Sequence, residues 1–136
     1  MALACWAPAS LNPWFVLPKE AAVSVLGEPK PVPPRAPGPL AFSEVDYVIG
    51  ILRDAGFQDC RVTTEIVHLF LPGGLEAAVK LASVIGPAPR VIRELEGGPD
   101  DIAEINRRIA RSLRQFVVGE GIHIPAGIHI FTAARR

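Results

Sequence analysis

The chain has few of the features that would assign it to a specialised class of protein. Only two of its 136 residues are cysteine, and each lies in an apolar run, so a disulfide framework is excluded and buried thiols in a reducing compartment are expected. Positive charge does not exceed negative charge, since 14 Lys and Arg residues balance 14 Asp and Glu residues. The long-range attraction that holds proteins to nucleic acids or anionic membranes is therefore missing, and we expect neither partner.

Long apolar runs and a charged leader are lacking as well. No apolar stretch approaches the roughly 20 residues that a membrane-spanning helix needs. The apolar N-terminus has no basic residue before Lys19, which argues against a secretory signal peptide. We therefore expect a cytoplasmic protein.

What the chain does contain is a high share of apolar residues and many points at which helices and strands must break. Hydrophobic residues make up 49% of the sequence, enough for a packed core, and 12 glycines and 14 prolines interrupt the apolar segments. The length fits one domain. We interpret 1–136 as a single partial domain: a strand and its following helix over 1–27, a proline-rich connector over 28–42, and the remainder over 43–136.

Short and alternating apolar runs predict the strands. Ala2–Trp6 is apolar on both sides, which is typical of a strand covered on both faces of a sheet. From Gln58 to Leu71 the side chains alternate with a period of two, which predicts a long strand. Ile122–Ile124 and Ile128–Thr132 alternate in the same way and are either a strand pair or one interrupted strand.

Apolar residues at helical spacing predict the helices between these strands. We expect a helix over Lys19–Leu26 after a break at Pro18, and a second helix that Ser43 caps and Gly56 ends. Three further helices are predicted: one near Leu75–Ile85, a short one over Arg90–Leu95, and a longer one capped by Asp100. The apolar stripe expected to be buried on the last of these is Ile102, Ile105, Ile109, Leu113 and Phe116. Strands and helices in this order predict an α/β fold.

No established motif for catalysis or nucleotide binding is complete in this sequence. The one G-x-G, Gly119–Gly121, follows a helix and precedes a strand, the reverse of a phosphate-binding loop. The arginines of the long helix are interpreted as a solvated face, with an Arg-rich phosphate site as the alternative. Three histidines on predicted strands match no metal-binding spacing, and we interpret them as edge or hydrogen-bonded residues rather than metal ligands: His68, His123 and His129.

Trp6, Asn12 and Trp14 are the candidate ligand-contacting residues. Two indoles and an amide lie within nine positions, directly beyond the carboxyl end of the first predicted strand. Open α/β sheets place their ligand crevice at that end of the strands. The alternative is that both rings fill the core.

Six segments form a series along the chain: ALACW, LNPWFVLP, PGPLAF, VIGILRDAGFQDCRV, LPGGLEAAV and IPAGIHIFTAAR. Taken together they resemble the second half of class I S-adenosylmethionine-dependent methyltransferases that act on small molecules. The resemblance covers almost the whole chain, from about Ala2 to Arg135. Its most specific part is the pair Cys5 and Trp6, which is followed by Asn12, Pro13 and Trp14.

This resemblance implies the C-terminal half of a Rossmann-like methyltransferase fold: a short mixed sheet whose last strand is antiparallel, with flanking helices and a helical insertion. Ala2–Trp6 corresponds to the fifth strand of that family and Gln58–Leu71 to the sixth. The strand ending at Thr132 or Ala133 corresponds to the seventh, which inserts between those two. The helices between Leu75 and Val117 would cover the acceptor pocket, and the three candidate residues above would help to shape it.

The cofactor-binding half of the family has no counterpart in this chain. The family binds S-adenosylmethionine through a glycine-rich loop after its first strand and an acidic residue at the end of its second, and neither is present. We therefore expect no cofactor to bind this chain alone, and we assign no catalytic, cofactor-binding or metal residue. Ala2–Trp6 also loses a neighbouring strand, so its edge is open to another chain.

Two functions follow from the resemblance. In the first, the chain is the acceptor-substrate half of a methyltransferase and transfers methyl groups to a small-molecule acceptor only when a cofactor-binding half is supplied. In the second, it is a non-catalytic binding or interaction module that either keeps the pocket of that fold or dimerises through the open sheet edge. The chain is accordingly either a fragment of a longer gene product or a subunit that a partner completes.

Overall fold

The structure is a computed structural model that describes residues 1–135. Within that range, five α-helices and four strands confirm the predicted α/β class. The strands are β1 (Ala2–Trp6), β2 (Gln58–Pro72), β3 (Val117–Val118) and β4 (Gly121–Ala134). The helices are α1 (Pro13–Leu26), α2 (Val45–Asp54), α3 (Gly74–Val84), α4 (Pro87–Glu94) and α5 (Pro99–Leu113).

β4 is the central strand of an antiparallel sheet with the order β1-β4-β2. β1 pairs with β4 from Ala2 opposite Thr132 to Trp6 opposite Ile128, and β3 forms a hairpin with the start of β4. The mixed sheet expected from the sequence is not formed, because β4 separates β1 from β2 and each neighbouring pair is antiparallel. The face of β1 that carries Ala2 and Ala4 is exposed rather than covered.

The chain divides into two compact units, each assembled from separate segments. The first unit contains Met1–Asn12, Val32–Val67 and the chain from Pro125 onward, and the second contains Pro13–Pro31 and His68–Ile124. Both β2 and β4 contribute residues to the two units. The interpretation of 1–136 as a single partial domain stays a prediction.

In the first unit, α2 packs against the sheet. Its Val48 and Leu52 form a buried cluster with Phe131 and Ala133 of β4. The two cysteines, Cys5 and Cys60, are free thiols that pack against this cluster, but both are only partly buried, whereas the sequence predicted buried thiols.

The two ends of α2 differ in how well the sequence predicts them. Its N-cap is Glu44 and no side chain caps it, so the prediction that Ser43 caps this helix is wrong. Gly56 ends the helix as predicted, because its φ of +83° turns the chain back. The Phe57 N–H then donates to the Leu52 carbonyl at 3.0 Å, which closes a Schellman motif.

The Arg35 side chain anchors the middle of the proline-rich connector in the first unit. No helix or strand forms in the described stretch from Gly27 to Glu44. The Arg35 guanidinium donates to the Glu44 carboxylate at 2.9 Å and lies 4.2 Å from the centre of the Tyr47 ring. An ion pair and a cation–π contact therefore hold the middle of this segment against the start of α2.

In the second unit, α1 and α3 each pack against α4 and α5. Ile105, Ile109 and Leu113 of α5 are fully buried and occupy the predicted apolar stripe. Burying each of these side chains contributes roughly 2 kcal/mol. None of the helices in residues 1–135 has both the length and the apolar character needed to cross a membrane.

Two helix boundaries in this unit correct the sequence predictions. α1 begins at Pro13 and continues through Pro18, so the prediction that the helix starts after a break at Pro18 is wrong. Pro18 only removes the hydrogen bond to the Trp14 carbonyl, and the proline itself is buried. The cap of α5 is Gly98 instead of Asp100, because Pro99 takes the first helical position, and the Gly98 N–H donates to the Asp101 carboxylate at 2.9 Å.

Candidate functional site

Asn12 forms more hydrogen bonds than any other candidate residue, and all of them are to the backbone. Its side chain is only 1% exposed. The amide nitrogen donates to the carbonyls of Ala7 at 3.0 Å, Pro8 at 3.2 Å and Gly127 at 3.1 Å, and Oδ1 accepts from the Gly127 N–H at 3.1 Å. These bonds join the turn after β1 to β4, so we name Asn12 and Gly127 the turn clamp.

The two candidate tryptophans lie in different units. Trp6 ends β1 opposite Ile128 in the first unit and is partly exposed. Trp14, in the first turn of α1, is 9% exposed and belongs to the core of the second unit. Trp14 therefore fills core, as the alternative interpretation states, while the substrate-binding role of Trp6, Asn12 and Trp14 stays a prediction.

His129 is the buried histidine of the first unit, and both of its ring nitrogens are hydrogen-bonded. Nε2 lies 3.2 Å from the Ser43 carbonyl, which can only accept, so Nε2 carries the proton. Nδ1 therefore accepts from the Thr64 hydroxyl at 2.9 Å. The ring also makes an edge contact with Phe131, with ring centres 5.9 Å apart. This arrangement fixes β4 to two other segments and leaves no ring nitrogen for a metal.

Replacing His129 with alanine is expected to lower the free energy of unfolding by about 2 to 3 kcal/mol, because a buried ring and two hydrogen bonds are lost. Urea denaturation followed by circular dichroism measures the change. His68→Ala is the matched control, since His68 is exposed, and it should change stability by less than about 0.5 kcal/mol. Equal stability of the two variants contradicts the assigned role of His129.

Two further titratable groups, Cys5 and Glu104, are held in structural contacts. Burial raises the pKa of the Cys5 thiol, which donates to the Phe42 carbonyl at 3.2 Å. Hydrogen bonds from Arg108 and then Arg107 lower the pKa of the Glu104 carboxyl on α5. Among residues 1–135, no group of three or more His, Cys, Asp and Glu residues converges on a point that could hold a metal ion.

A groove of about 610 Å³ lies between α3 and α5 in the second unit. The charged groups of its lining are Glu76 and Lys80 from α3 and Arg107 from α5. Asn106 of α5 also lines it, and its buried Oδ1 has no hydrogen-bond donor among the described residues. The groove is wide open to solvent and is not an enclosed cavity.

The groove exists because α5 presents small side chains to α3. Ala103 and Ala110 lie seven residues apart, two turns of helix, with Asn106 between them. This stripe runs beside the apolar stripe that buries Ile105 and Ile109. The periodicity of the sequence predicts the apolar stripe but does not predict the groove. Small residues around an amide, next to a predicted buried stripe, are the sequence signal that indicates it.

The open edge of β1 is the other feature that suggests a function. The Ala133 N–H donates to the Met1 carbonyl, and hydrogen-bonded and non-hydrogen-bonded pairs alternate along an antiparallel ladder. The backbone groups of Ala2 and Ala4 therefore point away from β4. β1 contains no charged residue and no proline, the usual protections of an exposed strand. The edge is thus suited to pair with another strand.

Two comparisons with known protein sequences gave no match. No protein-family model matches the chain, and no curated protein sequence matches it. The functional argument therefore rests on the residues, the strand order and the two surfaces described above.

Proposed function

We propose that this chain is the acceptor-substrate half of an S-adenosylmethionine-dependent methyltransferase for small molecules, completed by a cofactor-binding polypeptide that pairs with β1. The position of β4 carries the proposal: it lies between β1 and β2 and is antiparallel to β1. The sequence resemblance assigns these strands to the fifth, sixth and seventh of a fold in which the seventh inserts antiparallel between the other two. The observed order agrees with that assignment.

The open edge of β1 supports the same proposal. In the complete fold another strand lies beside the fifth, and here the outward backbone groups of Ala2 and Ala4 have the geometry to pair with one. A natural edge strand without charge or proline is prone to aggregation unless something covers it. A partner polypeptide on this edge would remove that liability.

We expect this chain not to bind S-adenosylmethionine by itself. Its one G-x-G closes the hairpin between β3 and β4, with Gly119 at a φ of +59°. Gly121 lies against the Phe70 ring, so its backbone is not open to a phosphate or carboxylate.

The role of this chain is to bind and orient the acceptor and to exclude water. Positioning of this kind supplies much of the rate of a displacement at carbon.

Isothermal titration of the isolated chain with S-adenosylmethionine tests the proposal, and we expect no binding. Micromolar affinity for the isolated chain would overturn it. In the complementary experiment, the coding sequence is extended in frame upstream of Met1. We expect the longer polypeptide to bind S-adenosylmethionine and to transfer methyl groups, and failure to bind counts against the proposal.

The variant Ala4→Pro tests the part that β1 plays. Proline at this position removes only an outward N–H, because Ala4 and Ile130 are a non-hydrogen-bonded pair. The isolated variant should keep its fold, whereas assembly with the cofactor-binding half should fail. A stable homodimer that Ala4→Pro dissociates, in a chain without transferase activity in any context, would favour the dimerisation module instead.

A further inference from the structure

We propose that a helix of the cofactor-binding polypeptide packs on one face of the sheet, next to the β1 edge that the same polypeptide extends. We name this side of the sheet the outer face. The register of β1 and β4 places three cross-strand pairs on it: Ala2 with Thr132, Ala4 with Ile130, and Trp6 with Ile128. All of these side chains except that of Thr132 are apolar, and all six are exposed or half-buried.

The opposite face of the same two strands is covered by α2. Phe131 and Ala133 of β4 are 1% and 7% exposed, because they pack with Val48 and Leu52 of α2. Neither buried cluster formed by residues 1–135 includes a side chain of the outer face. Over β1 and β4 of the first unit, this chain therefore covers one side of an apolar sheet and leaves the other side to solvent.

The outer face changes from apolar to polar at β2. Cys60 and Val62 of β2 pack against the buried cluster beside α2. The alternation of a strand therefore places Arg61, Thr63 and Glu65 on the outer face, and all three are exposed. A strand with one solvated face alternates between apolar and polar side chains, as β2 does, whereas the paired parts of β1 and β4 are apolar on both faces. The apolar area thus begins at the open edge of β1 and ends before β2.

The dimensions of this apolar area fit one helix. It is two strands wide, and neighbouring strands lie about 4.8 Å apart, so Ala2 to Trp6 gives it a length of roughly 13 Å. A helix is about 10 Å across, and three of its turns are about 16 Å long. Ala2 and Ala4 have small side chains, which allows a helix to approach β1 closely.

The continuity of the apolar area with the β1 edge selects the occupant. A second copy that paired antiparallel with β1 would place its own outer face beside this one, so the uncovered area would double. A polypeptide that adds a strand to β1 and continues into a helix covers the edge and the outer face together. The identity of that polypeptide as the cofactor-binding half rests on the proposed function.

The variant Ile130→Lys tests the covered face in two polypeptides, the isolated chain and the longer one extended in frame upstream of Met1. In the isolated chain the lysine can reach water, so the midpoint of thermal unfolding should shift by less than about 2 °C. In the longer polypeptide the ammonium would be buried under the helix, and the midpoint should fall by about 5 to 10 °C. Equal shifts in the two polypeptides, whether small or large, overturn the proposal.

The matched control is Thr63→Lys, which places the same charge on the polar part of the outer face. It should shift the midpoint by less than about 2 °C in both polypeptides. A fall in the longer polypeptide as large as that of Ile130→Lys would show that the added charge, rather than its burial under a helix, explains the result. That outcome also counts against the proposal.

The variant Thr132→Cys separates a covered face from an extended edge. Thr132 is exposed on β4, which is not an edge strand, so pairing at β1 alone leaves a thiol at this position reactive. Under a helix, iodoacetamide should modify it at least about 10-fold more slowly than in the isolated chain. Mass spectrometry of the peptides distinguishes this thiol from Cys5 and Cys60. Thr63→Cys is the control and should react at the same rate in both polypeptides.

The same measurements separate this inference from the proposed function. A longer polypeptide that binds S-adenosylmethionine while Thr132→Cys stays fully reactive refutes the helix on the outer face and keeps the proposed function. Protection of Thr132→Cys without binding of S-adenosylmethionine keeps the covered face and counts against the proposed function. Protection in the isolated chain at high concentration would show that a second copy covers the face, which overturns the proposal.

Discussion

Replacing Asn12 with alanine is expected to lower the free energy of unfolding by about 3 kcal/mol, a large share of the stability of a domain of this size. The substitution removes the acceptor of the Gly127 N–H and the donor to the carbonyls of Ala7 and Gly127. The site is 1% exposed, so water cannot take over these bonds without rearrangement. The midpoint of thermal unfolding should fall by on the order of 10 °C.

The variant Asn12→Asp separates the amide's chemistry from its shape. Its carboxylate has nearly the same size but turns an oxygen towards the carbonyls of Ala7, Pro8 and Gly127, with no proton to share. We expect a larger loss of stability than for alanine at pH 7. The loss should shrink at pH 4, because the protonated acid again carries a donor and the folded state favours that form.

Urea denaturation at both pH values measures these effects. Ser10→Ala is the matched control, since Ser10 is an exposed residue of the same turn, and it should stay within about 0.5 kcal/mol of the unmodified chain. If Asn12→Ala were as stable as Ser10→Ala, the turn clamp would not hold the chain as described.

Replacing Gly127 with alanine is expected to destabilise the protein by about 3 kcal/mol. A Cβ on Gly127 would lie 2.6 Å from the Cβ of Leu11 and 3.1 Å from the Cβ of Ala7. Neither neighbour can move freely, because the Ala7 N–H donates to the Gly127 carbonyl at 2.9 Å and Asn12 bonds both sides of the same residue. The added methyl must therefore break hydrogen bonds to find room.

Gly50→Ala is the control for this substitution. Gly50 lies inside α2, and a Cβ there would meet no atom within 4 Å. Alanine favours the helix over glycine, so this variant should be more stable by about 0.5 to 1 kcal/mol. Thermal and urea unfolding should thus change in opposite directions for the two glycines. A loss at Gly50 equal to that at Gly127 would show that steric crowding does not explain the result.

The turn clamp shows why one interpretation from the sequence was incomplete. An amide just beyond the end of a strand is typical of a ligand crevice, and this position predicted that Asn12 contacts a ligand. The sequence could not show that Gly127, 115 residues later, would lie beside it and take its hydrogen bonds. Gly127 has no side chain, and the Asn12 amide can therefore reach the N–H and the carbonyl of Gly127.

Local patterns predicted most of the helices and strands, because the forces that set them act over a few residues. The alternation of side chains from Gln58 predicted β2 to within one residue of its C-terminal end. The prediction that Gly56 ends α2 was confirmed as well. The prediction that Pro18 breaks the helix was wrong because the packing of α1 outweighs one missing hydrogen bond. The prediction that Ser43 caps α2 was wrong because the helix begins at Val45, so Glu44 occupies the N-cap position and Ser43 precedes it.

The candidate surfaces were predicted less completely than the elements. The resemblance led us to expect an open edge at β1, whereas the groove depends on which faces of α3 and α5 meet. Periodicity gives the apolar face of a helix but does not specify the neighbour that it packs against. Lys80 and Asn106 are 26 positions apart, and only the packing of α3 against α5 brings them to the same groove.

The sequence by itself determined the α/β class, the order of helices and strands, and the stripe of α5 that is buried. These depend on the spacing of apolar residues and on where glycine and proline interrupt the backbone. The resemblance also led us to expect the last strand between the other two, where β4 lies. Tertiary structure alone decided that Asn12 bonds Gly127 and that α3 and α5 leave a groove. The physical reason is that such contacts join residues far apart in the chain, where the energy depends on the fit of two surfaces.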